Sequence, residues 1–71
     1  MTLEQVKALR IGQIVYEHAA LNADGTPLRW RVNGKIKLWK RTPNRVRVPV
    51  KNGLWNHAYI TEYNMQHLSL M

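Results

Sequence analysis

The chain has 71 residues, with 11 Lys and Arg against 4 Asp and Glu, a formal net charge of +7. A chain this short forms one domain, residues 1–71, that buries only about 60% of the surface its unfolded form exposes, which excludes a large enzyme with a cleft between domains. A hydrophobic fraction of 45% excludes a disordered chain, and the absence of cysteine excludes disulfides, thiolate nucleophiles and cysteine zinc sites.

Thr2 and Gln5 have the spacing of a capping box, and behind it Leu3, Val6 and Leu9 fall on one side of a one- or two-turn helix. Gly12 ends that helix and admits the chain to Gln13–Leu21, a β-favouring run containing Ile14, Val15 and Tyr16. Asn22 to Pro27 is dense in turn formers and predicts a loop. Leu28–Lys40 then alternates, with Leu28, Trp30, Val32, Ile36 and Leu38 on one face and Arg29, Arg31, Lys35, Lys37 and Trp39 on the other; Gly34 marks a bend. Thr42-Pro43-Asn44 is expected to turn the chain into a strand with Val46, Val48 and Val50 inward, and Asn52-Gly53 signals a tight hairpin. Leu54–Ile60 reads as a strand, Thr61–Asn64 as a single helical turn, and His67–Leu70 as a short last strand with Leu68 and Leu70 inward.

Five short strands cannot build two packed sheets, so the expected fold is mostly β, a strongly bent sheet closing on itself as a small barrel. This order resembles a five-stranded Src-homology-3-like barrel with a short N-terminal helical turn. Asn22–Pro27 stands in place of the long first loop, Asn52-Gly53 at the distal hairpin, and Thr61–Asn64 as the turn before the last strand. The run from Arg45 through Asn52-Gly53 to Leu54 also resembles segments of small uncharacterised bacteriophage proteins, a likeness that implies no activity.

Catalytic chemistry has little to work with. Glu4, Glu17, Asp24 and Glu62 form no local pair for general acid and base catalysis, and His18, His57 and His67 lack the spacing of metal ligands. Ser69, the only serine, lies two residues from the last residue of the sequence, where a strand frays. The expectation is a non-enzymatic protein without metal or cofactor. The longest apolar runs, such as Ile14-Val15-Tyr16, are three residues, so no leader or membrane span is read, and a cytoplasmic protein without a membrane partner is expected.

The informative pattern is the polar face of the central strands. Its expected register sets Arg41 opposite Arg45, Trp39 opposite Arg47, Lys37 opposite Pro49 and Lys35 opposite Lys51. Folding gives no reason to gather like charges there, since directly opposed ones are mildly destabilising. The polar positions from Arg29 to Lys51 hold no carboxylate, and Trp39 offers an indole for stacking. For any single cation, solubility is sufficient explanation; for the set, an anionic ligand explains more.

The direction of Trp55, His57 and Tyr59 depends on the hairpin. A two-residue Asn52-Gly53 turn pairs Lys51 with Leu54 and turns all three inward. A bulged three-residue loop pairs Val50 with Leu54 and Val48 with Asn56, buries Leu54, Ala58 and Ile60, and brings His57 beside Arg47; it is favoured because it keeps Leu54 and Ile60 dry. The candidate binding residues are therefore Arg29, Arg31, Lys35, Lys37, Trp39, Arg41, Arg45, Arg47, Lys51, Trp55 and His57. The expected partner is RNA or single-stranded DNA, because no helix is long enough for a major groove; an acidic protein surface is the alternative.

Overall fold

In a computed structural model that describes all of residues 1–71, the N-terminal helix α1 (Leu3–Lys7) is held as its spacing requires. The Thr2 amide donates to the Gln5 Oε1 at 2.9 Å, and the Gln5 amide donates to the Thr2 hydroxyl at 3.2 Å. Strands β1 (Ile14–Leu21), β2 (Pro27–Val32), β3 (Lys37–Trp39), β4 (Thr42–Asn52) and β5 (Asn56–Thr61) follow, then a 3-10 turn (Met65–His67) and β6 (Leu68–Ser69). All pairings are antiparallel: β1 pairs with β2 and β6, while β4 pairs with β2, β3 and β5.

The sheet is a curled half-barrel of six strands, where a closed barrel of five was expected. The extra strand arises at Gly34, where the expected single long strand is interrupted over Asn33–Ile36 and becomes β2 and β3. Gly34 is needed there for space: a Cβ on it would lie 2.6 Å from the Pro49 Cγ. Pro49 stands mid-strand in β4, a place normally closed to proline because a ladder donor is lost. Its nitrogen faces the gap between β2 and β3, where no ladder partner waits, and its carbonyl accepts from the Asn33 amide at 3.0 Å. The sheet stays open because β5 pairs only with β4 and the two-residue β6 only with β1. Asn64 covers part of this edge, its side chain donating to the Tyr59 carbonyl at 2.9 Å and accepting from the Thr61 amide at 2.8 Å.

Nine residues form the core, and six of them are valines: Val6, Val15, Val32, Val46, Val48 and Val50, with Leu9, Ile60 and Leu68. Val46, Val48, Val50 and Leu68 point inward as their alternation predicts, and α1 packs against β4 and closes one end with Val6. Trp30, expected in the core, packs against it half-buried and donates its indole N–H to the Glu17 carboxylate at 2.8 Å. Trp30→Phe keeps the ring and removes this donor, and is expected to lower stability by about 1–2 kcal/mol in chemical denaturation. An unchanged midpoint would show that water replaces the bond.

Two expected registers are corrected. The first hairpin turns at Lys40-Arg41, with Trp39 opposite Thr42, Leu38 opposite Val46 and Lys37 opposite Arg47. Thr42-Pro43-Asn44 is part of β4, and Pro43, Asn44 and Arg45 bulge out between consecutive pairs. Leu38, expected inward, is 56% exposed because β3 is a three-residue edge strand. In the second hairpin neither expected pairing occurs. The ladder runs on to Asn52 opposite Asn56, which leaves Gly53, Leu54 and Trp55 as the loop and sets Val50 opposite Ala58. This register places Ile60 rather than Asn56 against Val48, so the larger apolar group enters the core. Leu54, expected to be buried, is 78% exposed at the loop tip.

Candidate nucleic-acid interface

Because side chains alternate across a strand, Arg45, Arg47, Pro49 and Lys51 leave β4 on the face opposite the valines. The actual registers set a cation directly across from two of them: Lys37 faces Arg47, and Arg31 faces Lys51, whose other neighbour is His57. Each directly opposed like-charge pair costs up to about 1 kcal/mol.

The first cluster is built on Trp39. The bulge at Pro43–Arg45 brings the Arg45 guanidinium to 4.2 Å from the indole centroid, with the Lys37 ammonium at 4.9 Å and the Arg47 guanidinium at 5.9 Å. Arg47 also lies 5.1 Å from the Tyr59 ring, so it links the two aromatics. Trp39 is half-buried rather than fully outward, and its cations gain about 0.5–1 kcal/mol per contact from the ring, which is enough to offset the cost of opposing Lys37 and Arg47. The result is a set of flat surfaces, indole, guanidinium and phenol, on which a planar group can stack.

The second cluster surrounds a hollow of about 320 Å³ lined by Arg29, Arg31, Lys51, Asn52, Gly53 and Ile14. Asn52 fixes its wall, donating from its side chain to the Arg29 carbonyl at 2.8 Å. Between Arg47 and Lys51 on this face of β4 stands the uncharged Pro49, whose cross-strand partner Tyr59 forms the margin of the first cluster.

The remaining sequence candidates lie apart. Lys35 is in the bend after β2 and Arg41 in the turn before β4, and neither lines either cluster. Trp55 is 88% exposed at the β4–β5 tip, and His57 faces Lys51 instead of Arg47. Several contributors were outside the sequence-derived set, among them Ile14 and Gly53 in the lining of the hollow. Tyr59 and Asn52 enter through the β4–β5 register. Glu62 bonds the Val46 amide at 3.0 Å, and that bond, with its own backbone amide and nearby Arg45, holds its carboxyl below the usual glutamate range.

Elsewhere, a cavity of about 140 Å³ lies in the gap between β5 and β6, lined by Trp30, Tyr59, Ile60, His67, Leu68 and others, with Glu17 already engaged by Trp30. His18 Nε2 is 2.6 Å from the Ser69 hydroxyl. That hydroxyl gives its single proton to the Met71 carbonyl at 2.6 Å, so His18 is the donor, the reverse of what nucleophile activation requires. No three His, Asp or Glu side chains gather into a metal-binding group, and no helix is long and apolar enough to cross a membrane.

Comparison with protein-family models, with curated proteins and with solved structures finds no match for this chain.

Proposed function

We propose that this protein is a non-enzymatic binding module that holds single-stranded nucleic acid across the outer face of β2, β3, β4 and β5. The observation that carries the reading is the two pairs of opposed cations, Lys37 with Arg47 and Arg31 with Lys51, on one face with Trp39. Ring contacts offset the first opposition but none reaches Arg31 or Lys51, so folding alone is opposed to that pair, and a phosphate backbone relieves it while the aromatics receive bases. The strand connectivity supports a Src-homology-3-like half-barrel as its frame, with β2 and β3 as the two halves of one bent strand and β6 returning to β1. The reading extends to a cytoplasmic protein of the small bacteriophage type.

The test is fluorescence anisotropy with labelled RNA and DNA single strands. The logarithm of affinity is expected to fall with the logarithm of salt at a slope of about −2 to −4, for roughly 3–6 phosphates. Trp39→Phe keeps a stacking ring and most of the affinity, whereas Trp39→Leu loses about 1–3 kcal/mol and binds normal and abasic strands equally. Absence of binding at low salt, or an unaffected Trp39→Leu, overturns the stacking reading and leaves the face to an acidic protein partner or to solubility.

A further inference from the structure

Resting on that reading, we infer that the face is two subsites with different tasks: the Arg29–Arg31–Lys51 hollow holds backbone phosphate, and the Trp39 cluster with Tyr59 takes bases. The hollow is concave and offers two guanidinium groups and one ammonium without an aromatic ring among its lining residues. That chemistry suits phosphate oxygens, which accept several charge-assisted hydrogen bonds at once. The Trp39 cluster is the converse. Its cations lie against π faces, with Arg45 at 4.2 Å and Arg47 shared between Trp39 and Tyr59, and so present flat surfaces.

The spacing sets the ligand's length. Arg47 and Lys51 share a face of β4 four residues apart, which at about 3.3 Å per residue is about 13 Å. A stacked strand rises about 3.4 Å per step, so about five stacked nucleotides span that distance, and fewer do so when unstacked. The uncharged Pro49 lies between, opposite Tyr59, so a strand passing from the hollow to the Trp39 cluster places a base or sugar over Tyr59. A dinucleotide engages one subsite, whereas a hexanucleotide reaches both.

Two measurements test this on the intact chain. In amide NMR spectra, titration with inorganic pyrophosphate is expected to move Arg29, Arg31, Lys51, Asn52 and Gly53 and to leave Lys37–Trp39 in place. In anisotropy, the double variant Arg29→Gln/Arg31→Gln is expected to weaken a hexanucleotide about tenfold and a dinucleotide less than about twofold, whereas Trp39→Leu weakens both. Pyrophosphate shifts centred on Lys37, Arg45 and Arg47, or equal loss at both lengths in the double variant, overturn the division while leaving nucleic-acid binding intact. Pyrophosphate binding in the hollow without binding of any oligonucleotide overturns the functional reading, and the base subsite with it.

Discussion

Lys51→Glu is expected to make the protein more stable and a poorer binder. Lys51 lies directly between Arg31 and His57 on neighbouring strands. A carboxylate there replaces a repulsive pair with an attractive one, a change of about 1 kcal/mol. In a domain of this size that raises the melting temperature by about 4–8 °C. The same substitution removes one phosphate contact and adds repulsion, so affinity for a hexanucleotide falls about tenfold at low salt and the salt slope shrinks by about 0.7. Scanning calorimetry and anisotropy on the same preparation check both signs. Lower stability with unchanged affinity would show that Lys51 is kept for the packing of its stem and not for its charge.

Gly34→Ala is expected to have the largest effect on folding of any single-methyl change at a glycine. The added carbon meets the Pro49 Cγ at 2.6 Å, and a pyrrolidine ring cannot rotate aside. Overpacking of this kind costs about 1–3 kcal/mol, against a total stability of about 4–10 kcal/mol for a chain of this length. Because the same bend sets β3 beside β4, the variant is also expected to misplace Trp39 and weaken binding. Pro49→Ala removes the ring Cγ and leaves the Cβ at 3.5 Å, so the double variant Gly34→Ala/Pro49→Ala is expected to recover about 1 kcal/mol or more of the loss. Additive losses in denaturation would place the conflict elsewhere.

Parity was legible in the sequence, and register was not. Alternation identified Val46, Val48 and Val50 as core and Arg45, Arg47 and Lys51 as the opposite face, and the Thr2–Gln5 spacing identified the helix cap. The turns misled because Thr42-Pro43-Asn44 has the composition of a turn yet forms a bulge, while the actual turn, Lys40-Arg41, carries none of the usual turn residues. At Asn52-Gly53 the local signal located the hairpin, but its pairing was decided by Ile60 reaching Val48, a contact between residues twelve apart in sequence. The candidate site inherits this division. Which residues leave on the outer face followed from alternation, whereas the grouping into a Trp39 cluster and a separate hollow, and the recruitment of Tyr59, required the register.

The Asn64 side chain has a consequence for how the molecule meets copies of itself. An open sheet edge is a template on which another chain can add a strand, and aggregation starts from such edges. Here β3 and β6 are only three and two residues long, which leaves β5 as the longer edge. Asn64 presents to β5 one acceptor for Thr61 and one donor for Tyr59, the same two bonds that a residue of an incoming strand would offer. An amide side chain thus occupies the place where a fibril or swapped dimer would begin to zip, and any chain docking there must first displace it.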